Sequence, residues 1–174
     1  DINNAYHVRF VGNNAPNEKY GIQLIGGNGI KVNSFTSDIE MAYIKLIDID
    51  GIAVKYINGQ DLLSTIPGGS TYQKHKNAKI HDNLVINAAS EGLYIGNNFK
   101  NGDEIRMIGA EVYNNCVLNS GWNGIDIKAI DGGIVFNNLI DVAGITPDST
   151  VVDSQRHAFD IVQSANHIEA YGNV

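Results

Sequence analysis

Apolar and polar residues alternate along this chain in short bursts that return in nearly the same form. Residues 80–86 (Ile-His-Asp-Asn-Leu-Val-Ile), 112–118 (Val-Tyr-Asn-Asn-Cys-Val-Leu), 134–140 (Ile-Val-Phe-Asn-Asn-Leu-Ile) and 168–174 (Ile-Glu-Ala-Tyr-Gly-Asn-Val) state one theme four times. Self-similarity at intervals of roughly 20 to 35 residues marks a stacked solenoid rather than a closed core. Each burst is followed by a second short strand opening on a small residue: Gly92 to Ile95, Gly124 to Lys128 and Ala158 to Val162, with Gly21 to Leu24 and Gly51 to Lys55 as earlier examples. Alternation turns Leu93, Ile95, Ile125, Ile127, Phe159 and Ile161 inward and Tyr94, Asp126, Lys128 and Asp160 outward. Strands this short satisfy their backbone groups by pairing with the equivalent strand one repeat away, about 4.8 Å distant. The expected fold is all-β, a parallel β-helix.

Asn83, Asn115, Asn138 and Asn173 fall at one place in successive repeats. Asparagine tolerates the left-handed turn conformation, and its amide both donates and accepts, so stacked copies are expected to form a structural ladder. The repeat, Asn-x-Ile followed by Gly-Ile-x-Ile, resembles that of the right-handed parallel β-helix (pectate-lyase-like) superfamily over about residues 20 to 174. The resemblance implies a solenoid whose relatives include polysaccharide lyases, polygalacturonase-type hydrolases, uronan epimerases, phage tailspikes and surface adhesins. Fold analogy alone does not choose among them.

The 174 residues read as a single β-helix domain, 1–174. No end-capping element is visible, so a fragment of a longer chain or a larger surface assembly is expected. A net charge of −7, with 12 basic against 19 acidic residues, argues against nucleic acid, which needs a continuous basic face. No run of 18 apolar residues suggests a transmembrane segment. Cys116 is the single cysteine, which excludes an intrachain disulfide. Abundant Asn, Gly, Ser and Tyr with few Lys and Arg fit an extracellular or cell-surface protein.

Irregular stretches at 58–77, 97–109 and 142–156 break the rhythm. They are expected to rise as loops on both sides of the outward face that carries Lys55, Tyr94, Asp126, Lys128 and Asp160, walling a groove for a polysaccharide. Asp126 and Asp160 should face one another across one strand spacing, a candidate acid and base pair. Lys128 as base and Tyr94 as proton donor would be the assignment for a lyase. His157 and Arg156 lead into the Asp160 strand, and Trp122 and Tyr113 offer rings for a sugar to stack on. Lys74, Lys76 and His81 lie in a basic run that could hold an anionic sugar at the rim. Asp103 with Glu104, or Asp148 with Asp153, offer oxygen ligands for Ca²⁺ without the spacing of a recognised calcium loop, and His75 and His81 match no zinc spacing.

Departures from the enzyme patterns narrow the choice. In the stretch His157 to Val162 the Pro, His and Glu that follow Asp in the epimerase signature are absent after Asp160, and the adjacent aspartates and His-Gly pair of polygalacturonases are missing, although Asn123-Gly124-Ile125-Asp126-Ile127 echoes the first element of that set. Two readings follow: a polysaccharide-binding or polysaccharide-degrading protein, lyase or hydrolase, and a non-catalytic adhesin or structural module.

Overall fold

The structure, a computed structural model, describes residues 1–3, 5–12, 16–33, 36–56, 76–96, 107–128, 130–145, 156–162 and 165–174. Among them all regular structure is strand, arranged in three parallel sheets. Sheet A stacks β1 (Ile2–Asn3), β4 (Ile30–Asn33), β7 (Val54–Tyr56), β10 (Leu93–Gly96), β13 (Ile125–Lys128) and β16 (Phe159–Val162). Sheet B stacks β2 (Arg9–Val11), β5 (Glu40–Ala42), β8 (Lys76–His81), β11 (Met107–Tyr113), β14 (Ile130–Phe136) and β17 (Asn166–Tyr171). Sheet C stacks β3 (Ile22–Ile25), β6 (Ile44–Ile49), β9 (Leu84–Ala88), β12 (Cys116–Ser120) and β15 (Leu139–Ala143). The chain visits A, B and C in turn and begins again, so each strand pairs with its counterpart one coil away. This is the parallel β-helix that the alternation requires.

Two details differ from the sequence pattern. Each coil has three strands, not two: the 80–86 segment is split by a corner, with β8 ending at His81 and β9 starting at Leu84. The inward positions Ile80, Asn83 and Val85 are buried on both sides of that bend, which is why a period-two reading passes over it. Gly21 to Leu24 contributes to β3 in sheet C beside β6, not to sheet A. The sheet A strand of that region is β4, whose Gly29-Ile30-Lys31-Val32 carries the same small-apolar-x-apolar signature. The irregular stretches are also shorter than expected, because β8 starts at Lys76, β11 at Met107, and β15 runs to Ala143. Residues 57–75, 97–106 and 146–155 lie outside the described residues.

Corners are turned by left-handed residues. Tyr43, Asp82, Asn114, Asn137 and Gly172, with φ between 53 and 62°, occupy the B-to-C corner of successive coils. A second column, Gly26, Asp48, Asn87, Asn119 and Val142, bends the sheet C strands, and a third begins at His7 and Asp38 and continues to His167 at the sheet B entrance. Left-handed backbone costs an L-residue roughly 1–2 kcal/mol, least for Gly, Asn and Asp, which explains what these columns contain. The ladder asparagines sit one residue after the first column and are not left-handed themselves.

Their role is hydrogen bonding inside the coil. Asn83 Nδ2 donates to Met41 O and Asn115 Oδ1, both at 3.0 Å. Asn115 Nδ2 donates to Ile80 O at 2.9 Å and Asn138 Oδ1 at 3.0 Å, and Asn138 Nδ2 to Val112 O at 3.0 Å and Asn173 Oδ1 at 2.9 Å. Each Oδ1 also accepts the backbone N–H at the same place one coil earlier, as Asn83 Oδ1 does from Ile44. Consecutive ladder residues are 32, 23 and 35 positions apart, yet the strands on either side keep their register. The rest of the interior is one apolar column that includes Val32, Leu46, Ile80, Leu93, Val112 and Ile127. Burying each such side chain contributes about 1.5–3 kcal/mol. Small residues open the sheet A strands because the next coil presses on them: a Cβ on Gly124 would lie 2.5 Å from Ala158 O.

Candidate functional site

Sheet A carries an outward column, Lys31, Lys55, Tyr94, Asp126 and Asp160, each paired in register with the next. Lys128, two residues after Asp126, reaches back so that its Nζ lies 2.9 Å from Asp126 Oδ2 and 5.2 Å from the centre of the Tyr94 ring. Lys55 Nζ approaches the same ring at 5.7 Å, so two ammonium groups flank one aromatic. Asn123 Nδ2 stands 3.4 Å from both Asp126 Oδ2 and Asp160 Oδ2, at the long limit of a hydrogen bond. Its Oδ1 accepts the His157 backbone N–H at 2.9 Å, and His157 Nδ1 lies 3.9 Å from Asp160 Oδ2.

Although they point outward from the pleat, two of these side chains are withdrawn from solvent. Asp126 is 1% exposed and Tyr94 5%. Asp126 Oδ1 is buried with no hydrogen-bond partner, which for a carboxylate oxygen is costly. Burial pushes the Asp126 carboxyl above its ordinary pKa, with the Lys128 ammonium opposing and the Asp160 charge adding to the rise. The Tyr94 hydroxyl is pushed up as well, by burial first and then by the charges of Asp126 and Glu91. The Asp160 side chain is 13% exposed and His157 51%, so the cluster meets solvent on the Asp160 side.

The sequence pattern does not mark Glu91, and it marks Asn123 only as the first residue of the run Asn123-Gly124-Ile125-Asp126-Ile127. Both are buried polar residues at the C-to-A corner, and Glu91 accepts the Ser90 hydroxyl. A usable signal existed: each directly precedes the glycine that opens a sheet A strand, Glu91-Gly92 and Asn123-Gly124.

The remaining candidates are spread over several places. Trp122, half-buried, sits in the same corner as Asn123; its backbone N–H donates to Ser90 O and its backbone carbonyl accepts from the Gly144 N–H. Arg156 is exposed beside Gly144. Tyr113 and His81 belong to sheet B. They form part of an aromatic stack running His81, Tyr113, Phe136, Tyr171, with centroids 4.6, 4.9 and 5.2 Å apart and planes within 12°. Both Tyr113 faces are therefore covered, and neither is left for a sugar ring. The His81 ring nitrogens face Asp82 Oδ2 at 2.9 Å and Glu40 Oε1 at 3.3 Å. Lys76 is exposed at the start of β8, on sheet B rather than on the Asp126 face. Lys74 and His75 lie outside the described residues, as do Asp103, Glu104, Asp148 and Asp153. Among the described residues no three His, Cys, Asp or Glu side chains come together as metal ligands, and no helix is long and apolar enough to cross a membrane.

Comparison of the chain with known protein families, with curated proteins and with solved structures returns no match.

Proposed function

We propose that this chain is a polysaccharide-degrading β-helix protein of the pectate-lyase-like kind, acting outside the cell, and that it hydrolyses a glycosidic bond over the sheet A column. The observation that carries this reading is the juxtaposition of Asp126 and Asp160 in neighbouring coils, both Oδ2 atoms 3.4 Å from Asn123 Nδ2, with burial moving the Asp126 carboxyl in the direction that favours a general acid's keeping its proton. In the proposed step Asp126 gives that proton to the glycosidic oxygen as the bond to the anomeric carbon breaks. Asp160 attacks the anomeric carbon, and water then releases the sugar with Asp126 taking a proton back. Because both Oδ2 atoms lie 3.4 Å from the same Asn123 nitrogen, they are separated by no more than twice that distance. That bound admits the separation of about 5–5.5 Å of retaining enzymes and lies below nearly all of the roughly 6.5–9.5 Å of inverting ones, which favours Asp160 as nucleophile. The lyase assignment is weaker, since its base must reach the substrate and the Lys128 side chain is engaged with Asp126 Oδ2 and the Tyr94 ring.

The test is a reducing-end assay on acidic and neutral polysaccharides. Asp126→Asn and Asp160→Asn are each expected to lower turnover by about 10²–10⁴ with the circular dichroism spectrum unchanged. Full activity in both variants would remove the mechanism. The second reading, a non-catalytic surface module, draws on the depth of Asp126. It predicts no turnover on any substrate and no effect of either substitution on binding.

A further inference from the structure

A second face of the coil carries chemistry that the sheet A cluster does not use. Along the bend of sheet C, Asn119 Nδ2 donates to Asn87 Oδ1 at 3.1 Å and Asn87 Nδ2 to Asp48 Oδ1 at 2.8 Å. This is an outer ladder, distinct from the buried one. All three residues have positive φ, between 53 and 60°, so a stacked left-handed backbone holds their side chains. They line an open concavity of about 440 Å³, within the size range of small-ligand sites. Ile49 and Ala88 form its buried floor, while Ala89 and the half-exposed Ile145 form its rim.

We infer that this concavity is a binding site for a neutral, extended oligosaccharide lying along the coil axis. Each carboxamide has two N–H donors and two lone pairs. The ladder uses one N–H of Asn87 and one of Asn119, leaving the second N–H of each, Asn119 Oδ1 and Asp48 Oδ2 for a ligand. A mixed set of donors and acceptors matches hydroxyl groups, which are both. The rungs repeat at about 4.8 Å, close to the advance of one pyranose in an extended β-linked chain, so successive sugars meet successive rungs. Exposed methyl groups of Ala89 and Ile145 suit the C–H face of a sugar. Charge selects against acidic glycans: among the described residues no Lys or Arg lines the concavity, and Asp48 and Asp50 both do. Among the described residues no third His, Cys, Asp or Glu joins these two aspartates, as a cation site would require. No residue is shared with the Asp126 cluster, so this site stands whether or not that cluster is catalytic.

The experiment is a titration of the ¹⁵N-labelled 174-residue chain with cellohexaose, xylohexaose and mannohexaose, and with hexagalacturonate. The readouts are the side-chain amides of Asn87 and Asn119 and the backbone amides of Ala89 and Gly121. At least one neutral hexasaccharide is expected to move these signals with a Kd of about 1 mM or tighter. Hexagalacturonate is expected to leave them in place. Ala89→Trp, which fills the concavity, should abolish the response. Asn119→Gly, which keeps the left-handed backbone but removes one rung, should weaken it at least about tenfold, the loss of one charge-free hydrogen-bonding group of good geometry. The Asp126→Asn, Asp160→Asn double variant should respond as the parent does, which separates this site from the hydrolytic one. The inference is overturned if no neutral hexasaccharide moves these signals, if only hexagalacturonate does, or if the response survives both Ala89→Trp and Asn119→Gly.

Discussion

Removing one amide from the middle of the buried ladder should cost far more than removing one at its end. Asn115→Ala deletes four hydrogen bonds: two donated by Asn115 Nδ2, to Ile80 O and Asn138 Oδ1, and two accepted by its Oδ1, from Asn83 N and Asn83 Nδ2. The amide of Asn83 keeps its bond to Met41 O, but the Asn83 backbone N–H and the Ile80 carbonyl each lose a partner in a place where water is excluded. Two buried groups stranded at about 1–3 kcal/mol each give an expected loss of about 3–5 kcal/mol once the small cavity is included. Asn173→Ala deletes three, its bond to Val135 O and the two received from Asn138, and Asn173 is half-buried, so water can take over. About 1 kcal/mol is expected there. Urea unfolding of both variants gives the two free energies. Hydrogen exchange of the Asn83 amide checks whether the loss is local, since a solenoid can open coil by coil. Equal costs for the two variants would refute the idea that the ladder acts as a buried, cooperative spine.

Val142 is a β-branched residue at φ 59°, the wrong chemistry for its column, so Val142→Asn should stabilise the chain by about 1 kcal/mol, read as a rise of roughly 2–4 °C in Tm. Gly124→Ala places a methyl 2.5 Å from Ala158 O and 2.3 Å from Ile140 Cγ2, and is expected to cost about 1–3 kcal/mol in urea. The raised pKa of Asp126 makes the folded state bind more protons than the unfolded state between 3.8 and the folded value, so this group's contribution to stability falls as pH rises through that window. Relative to Asp126→Asn, the parent should therefore gain stability on acidification, by about 1.4 kcal/mol for each unit of elevation. A pH-independent difference between the two would show that Asp126 is not perturbed.

Much of this architecture could be read from alternation alone. Period-two patterning located β10, β13 and β16 and put Tyr94, Asp126 and Asp160 in one register, because a parallel stack leaves them no other partners. Alternation passes over the B-to-C corner, since an inward residue stays inward on both sides of a bend, and it is the recurring Asn83, Asn115, Asn138 and Asn173 that mark the turn there. Nor does alternation separate β3 from sheet A, because a Gly-Ile opening serves any strand that starts under a neighbouring coil. At the candidate site the pattern gave direction but not depth. Alternation says that Asp126 leaves the sheet on the outer side, whereas its 1% exposure depends on what else gathers there. The Tyr113 and His81 stack was hidden for a related reason: an aromatic at one position reads as free until its neighbours a coil away prove to be aromatic as well.

The unequal spacing of the ladder asparagines, 32, 23 and 35 positions between strands that never slip, separates two kinds of inheritance. Distance along the chain does not determine which side chains meet; the corner residues reset the alignment once per turn. Segments joining sheet A to sheet B, such as 57–75 or 97–106, are thus free to be exchanged or extended by mutation while Asp126 remains opposite Asp160. A lineage of such proteins can vary these connections without disturbing the register of the sheet A column.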